Sequence, residues 1–133
     1  MFSEREIVYL RLQRLARIAT ASEDHQPDVA PVGFEFDGTY FYVGGINLSK
    51  TLKYKNIQKN PKLALVIDDI ETISPWKPRG IKIHGIADLT TRKGYVGAAT
   101  YIRIKPKEKW GWGIDEPAIK NGKSIMKKSK ATD

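Results

Sequence analysis

Residues 29–45 read VAPVGFEFDGTYFYVGG, and this stretch decides the fold. Ala30, Val32, Phe34 and Phe36 recur at every second position, so they fall on one face of an extended strand from Val29 to Phe36. Asp37-Gly38 supplies the left-handed geometry of a tight hairpin turn. A second strand follows from Thr39 to Val43, antiparallel to the first. It places Tyr40 and Tyr42 on one face and Phe41 and Val43 on the other, so neither face is built for water and both require a cover.

Upstream, Ser3 and Glu6 form a capping box, and Ile7, Val8, Leu10 and Leu12 give one apolar side to a helix over 4–14. From Leu15 to Ala21 the pattern is compatible with a strand, which the turn residues Ser22 to Pro27 end. Downstream of Gly44-Gly45 the pattern turns helical, with Asn47 or Ser49 as N-cap, a basic stretch from Lys50 to Lys55, and Asn60-Pro61 as terminator. Leu63 to Ile70 and Ile81 to Leu89 read as strands, and a sixth lies near Tyr101 to Ile104. Between Glu71 and Gly80, Thr-Ile-Ser-Pro-Trp-Lys-Pro-Arg reads as a proline-rich loop. The sum is a mainly β, α+β domain: a six-stranded antiparallel barrel with short flanking helices.

A chain of 133 residues fits one domain. Residues 1–115 carry the barrel pattern, whereas residues 116–133 crowd Lys120, Lys123, Lys127, Lys128 and Lys130 among few apolar groups and read as a flexible tail. There is no cysteine, which removes disulfides, thiolate metal sites and thiol nucleophiles together. No apolar run approaches the roughly 20 residues that span a bilayer, and the N-terminal stretch is charged where a signal peptide is apolar. A soluble, cytoplasmic protein without membrane attachment is expected. The net charge of +8 suggests an anionic partner, whether nucleic acid, an acidic membrane or a phosphorylated small molecule.

The two histidines, His25 and His84, have no carboxylates at metal-ligand spacing, and no metal site is expected. No nucleophile elbow supports hydrolysis. Gly44-Gly45-Ile46-Asn47 leads from a strand into a basic helix start, an arrangement that offers a phosphate backbone N–H groups and ammonium groups. A turn glycine and a solvated helix face are the commoner uses of the same residues. Trp76, Trp110 and Trp112 suit a flat heterocycle or ordinary packing, and aromatics among lysines also suit a nucleic-acid surface. The glycines around Trp110-Gly111-Trp112-Gly113 suggest a close backbone approach to a ring, ligand or partner.

Taken in order, Arg14 to Thr20 with Pro27 to Phe34, then Lys53-Tyr54-Lys55-Asn56 through Asn60-Pro61 with Leu63 to Val66, resemble the split barrels grouped with pyridoxamine 5′-phosphate oxidase. Pro75-Trp76-Lys77-Pro78-Arg79-Gly80, and Ile104-Lys105-Pro106 leading to Trp112-Gly113, resemble the deazaflavin-dependent oxidoreductases within that group. The resemblance implies a split β-barrel, FMN or a deazaflavin coenzyme, and a homodimer with the cofactor between subunits. It implies hydride transfer to or from a small conjugated or heteroaromatic substrate, with the chemistry carried by the cofactor and no catalytic side chain assigned. Carried over residue by residue, it places Lys53 and Lys55 at the cofactor phosphate, Thr51 where many relatives have arginine, Asn47, Pro31 and Val32 along the phosphate and ring, and Trp112 nearby. A flavin-binding protein without turnover is the alternative, and nucleic-acid binding a more distant one.

Overall fold

The computed structural model describes residues 1–94 and 97–132. Helix α1 spans Glu4–Leu12 and α2 spans Leu52–Lys59. The strands are β1 (Leu15–Ala21), β2 (Pro27–Gly33), β3 (Glu35–Phe36), β4 (Phe41–Val43), β5 (Lys62–Thr72), β6 (Lys77–Gly94), β7 (Gly97–Trp112), β8 (Ile119–Lys120), β9 (Lys123–Ser124) and β10 (Lys127–Lys130). The main sheet runs β2-β1-β5-β6-β7-β4-β3, with β10 on β7, and every pair in it is antiparallel.

The two ends of that order, β2 and β3, are consecutive in the chain and are joined through Phe34. The sheet therefore curls until its edges meet at a covalent link without a ladder between them, which is a split barrel. Inside it, Ala16, Ile18, Leu65, Ile67, Ile81, Ile83, Ile102 and Ile104 are almost fully buried. Phe41 anchors one end, stacked on Phe36 at 4.4 Å and met edge-on by Phe2 at 5.9 Å. Pro31 lies in β2, which among the described residues pairs with β1 alone, and an edge strand tolerates the missing N–H. Pro106 sits beside the bulge where His84 pairs Glu108 but Gly85 pairs Pro106.

Several expectations are corrected. Among the described residues the sheet has eight strands where six were expected, because the second expected strand breaks at Phe34 and β10 joins the sheet. Only its last two residues, in β3, pair with β4. The proline-rich loop is smaller than expected: β5 runs on to Thr72 and β6 starts at Lys77, so their ladder extends to Thr72↔Lys77, with Asp69 and Arg79 also joined by their side chains. The outer face of β4 is partly covered within the chain, where Arg92 lies 3.9 Å over the Tyr42 ring and Arg103 5.0 Å over the Tyr40 ring just before the strand. From Glu116 onward the chain contains a small β8–β9 hairpin and β10, paired from Lys127↔Gly111 to Lys130↔Glu108.

Candidate functional site

The chain leaves β4 through Gly44, where a Cβ atom would lie 2.6 Å from the Tyr101 ring, so the loop passes directly over that ring. Asn47 then adopts a left-handed conformation (φ 55°) and heads a short 3-10 turn, Leu48–Lys50, through its carbonyl and without a side-chain cap bond, so the expected cap at Asn47 belongs to that turn and not to α2, and Ser49 lies inside it. Thr51 is the cap: its hydroxyl donates to the Leu48 carbonyl at 2.6 Å and accepts from the Tyr54 N–H at 3.4 Å. Behind α2, Leu48 and Ile57 enter the core, and buried Asn56 donates to the Thr20 hydroxyl at 3.0 Å. These contacts fix the helix against β1.

The outward side of α2 is basic. Lys53 is half-buried, Lys50 and Lys55 are exposed, and none of the three has a carboxylate at ion-pair distance among the described residues. The N–H groups of Leu52 and Lys53 have no intrahelical acceptor, as in any first turn. Thus Asn47, Thr51, Lys53 and Lys55 form one segment with an unneutralised positive end. Of the β2 pair, Val32 is a core residue at 6% exposure, so only its backbone can reach a ligand, while Pro31 is exposed on the outer face.

Trp112 lies apart from these. The register runs Pro31↔Arg17, Arg17↔Val66, Val66↔Lys82 and Lys82↔Trp110 across the outer face. Those are four strand spacings, or about 19 Å. Trp112 occupies the next outward position on β7, packed over Gly80, where a Cβ would come within 2.5 Å of its ring. Within one chain Trp112 and the α2 segment therefore do not meet.

Sequence reading missed two groups of residues. Arg11 and Arg14, at the end of α1, line a cleft of about 650 Å³ at the split, together with Gly33, Gly44 and Tyr42. Their spacing of three residues at a helix end was the available signal. The other is a polar network beneath α1, in which Arg79 holds Asp69 through two bonds of 2.7 and 3.0 Å and the Tyr9 hydroxyl donates to Asp69 at 2.9 Å. The Arg79 guanidinium, then Tyr9 and Gln13, hold the Asp69 carboxyl below the usual carboxylate range; burial and the Asp69 charge push the Tyr9 phenol well above its ordinary value. On the outer face Trp110 is met by Lys82 at 4.4 Å, Lys128 at 5.2 Å and the His84 ring at 4.6 Å. Among the described residues no three His, Asp or Glu side chains are grouped to hold a metal ion, and no helix is long and apolar enough to cross a membrane.

A split barrel with a basic helix beside its open edge defines a fold class, and the comparisons with known proteins name it. The family model described as pyridoxamine 5′-phosphate oxidase matches residues 4–122, and the chain belongs to that family. It is 35% identical over 121 residues to the 5a,11a-dehydrotetracycline/5a,11a-dehydrooxytetracycline reductase of Streptomyces rimosus, covering 86% of this chain and 84% of that protein. Among solved structures it is similar to an F420 reductase, with a TM-score of 0.63 at 19% identity, covering 82% of this chain and 98% of the other. It is also similar to the heme storage protein HutZ of Vibrio cholerae, with a TM-score of 0.60 at 14% identity, covering 80% and 92%. Those two likenesses concern the fold alone, which accommodates both kinds of protein.

Proposed function

We propose that the protein is an oxidoreductase that uses a flavin-type cofactor, FMN or a deazaflavin, to reduce a small conjugated substrate. Family membership and a reductase at 35% identity support the reaction class. One observation carries the placement: the α2 segment presents Lys53 with no carboxylate partner among the described residues, beside the free N–H groups of a capped first turn. That donor set fits an anionic phosphate. When bound, the cofactor supplies hydride chemistry. Thr51 keeps the first turn wound, Lys53 and Lys55 neutralise the phosphate, and the β2 backbone at Pro31-Val32 borders the ring.

The same reading includes a homodimer with the cofactor between subunits. Its support is the outer face, where Val29 is 67% and Ile70 46% exposed and the small residues Ala19 of β1 and Ala64 of β5 pair with each other. Light scattering at micromolar concentration should give the mass of a dimer, and a monomer with cofactor bound would remove this element of the proposal.

The test of the cofactor begins with the absorbance spectrum of freshly purified protein and mass spectrometry of what it releases. Calorimetric titration with FMN, a deazaflavin and riboflavin follows. Losing a charge-assisted bond costs about 1.5–3 kcal/mol. Lys53→Ala should therefore weaken the two phosphorylated ligands about tenfold to a hundredfold and leave riboflavin almost unchanged. Equal losses for all three would assign Lys53 a structural role. Reduction of bound cofactor by a nicotinamide donor or reduced deazaflavin, with reoxidation by an acceptor, distinguishes the enzyme from a flavin-binding protein without turnover.

A further inference from the structure

The Pro75-Trp76-Lys77-Pro78 segment, which the cofactor site does not use, forms one wall of a second cleft. Its opposite wall is the chain after β7, from Gly113 to Ile119, and the volume between them is about 580 Å³. Small-molecule sites occupy about 300–1,000 Å³. Trp76 is 54% exposed and Ile119 48% exposed, so both present apolar surface that no described residue covers.

The far wall is held in place by three contacts. Gly113 has φ +71°, and a Cβ there would lie 2.2 Å from the Pro78 carbonyl oxygen and 2.8 Å from the Arg79 Cα, so the backbone rests directly on β6. Trp112 rests on Gly80 in the same way. The Ser3 hydroxyl donates to Asp115 at 2.8 Å, which ties the wall to the start of α1. An anchored wall loses little conformational entropy when the cleft is filled.

The lining has two chemical characters. Pro75, Trp76, Pro78 and Pro117 are flat or rigid apolar groups that suit the face of a ring system. The charged groups are Arg5, Lys77, Glu71, Asp115 and Glu116, two cations against three anions. That mixture disfavours a phosphate or other strong anion, in contrast to the basic face of α2, and offers both donors and acceptors to a polar substituent.

We propose that this cleft binds a planar fused-ring molecule, uncharged or zwitterionic, whose ring face stacks on Trp76 and whose polar groups meet the charged rim. The site is separate from the α2 segment, and its occupancy does not depend on which cofactor the protein uses. The test is calorimetric titration of the full chain, without added cofactor, with two probes: 1,8-dihydroxyanthraquinone, a neutral hydroxylated tricycle, and 8-anilinonaphthalene-1-sulfonate, an anion. The neutral probe should bind saturably at one site per chain. Trp76→Ala should weaken it about tenfold through loss of stacking and apolar contact. Ile119→Ser on the opposite wall should weaken it in the same direction. Lys53→Ala should leave it unchanged, which separates this proposal from the cofactor reading. Both cleft side chains are exposed, so the melting temperatures of the two variants should match that of the parent. Unchanged affinity in either cleft variant, or tighter binding of the anionic probe at this site, would overturn the proposal.

Discussion

Removing the ammonium of Lys109 tests what holds α1 to the barrel. Lys109 and Glu6 are each 3% exposed and form a salt bridge in the interior. The same Glu6 carboxylate accepts the Ser3 N–H at 2.9 Å, closing the capping box of α1. Lys109→Met keeps the length and apolar stem of the side chain but leaves the Glu6 carboxylate buried without its counter-charge. Breaking such a pair on one side costs about 3–5 kcal/mol, a large part of the 5–15 kcal/mol that stabilises a typical domain. With about 2.1 cal/mol/K of unfolding entropy per residue over 133 residues, the thermal midpoint should fall by about 11–18 °C. Circular dichroism melts and urea titrations measure it, with the urea slope as a check that the transition stays two-state. In the double variant Glu6→Gln, Lys109→Met the buried charge is gone and the glutamine can still accept from Ser3, so part of the loss should return. A single variant that melts within about 3 °C of the parent, the equivalent of roughly 1 kcal/mol, would refute the reasoning.

The Asp69 network gives a pH dependence. Its folded-state carboxyl lies below the ordinary value, chiefly because of Arg79, so its contribution is complete above about pH 3.9 and disappears as pH falls through the lower folded value. The stability gap between parent and Asp69→Asn should accordingly be constant from pH 7 to pH 5 and shrink below pH 4, and a gap that persists unchanged at pH 2 would rule this out. Ending the chain at Met126 deletes β10 and its ladder to Glu108–Gly111, together with the 2.9 Å Lys128–Glu108 pair. The barrel should still unfold cooperatively, at a cost of about 1–2 kcal/mol, while β7 amides facing β10 lose hydrogen-exchange protection; unchanged protection would mean that β10 does not dock in solution.

The turn at Asp37-Gly38 that joins β3 to β4 was legible because it is decided locally. Asp37 accepts the Thr39 and Tyr40 N–H groups at 2.8 and 2.7 Å, and Gly38 takes φ +102°, so no distant contact is needed. The break at Phe34 was not legible, because it follows from which strands become the sheet's edges, a property of the closed architecture. β10 was hidden for a different reason: Lys127–Lys130 has no apolar alternation, and its pairing uses backbone groups that any residue supplies. In the candidate site, Lys53 could be found from charge and resemblance. Arg11 and Arg14 had their spacing at a helix end as a signal but no indication of what they face, since only the fold brings the end of α1 to Gly33 and Gly44. The glycines around Trp110 and Trp112 did signal close approaches, and two of the partners lie within the chain: a Cβ at Gly111 would meet the Glu6 carboxylate at 2.6 Å, and Gly113 rests on Pro78.

These placements tie α1 to several parts of the barrel. Its first turn supplies Glu6 to Lys109 and Arg5 to the cleft beside Trp76, and Ser3 ahead of it holds Asp115 in that cleft's wall. Its second turn supplies Tyr9 to the Asp69 network. Its last turn and the residues after it supply Arg11 and Arg14 to the cleft at the split. The capping box that marks a helix start in the sequence is thus the same group of atoms that anchors the helix to β7, because one carboxylate serves both Ser3 and Lys109. A substitution that frays the first turn therefore loosens the Glu6–Lys109 anchor together with the Arg5 and Ser3 contacts at the cleft beside Trp76. The α2 segment, held independently by Asn56, Ile57 and Leu48, keeps its geometry.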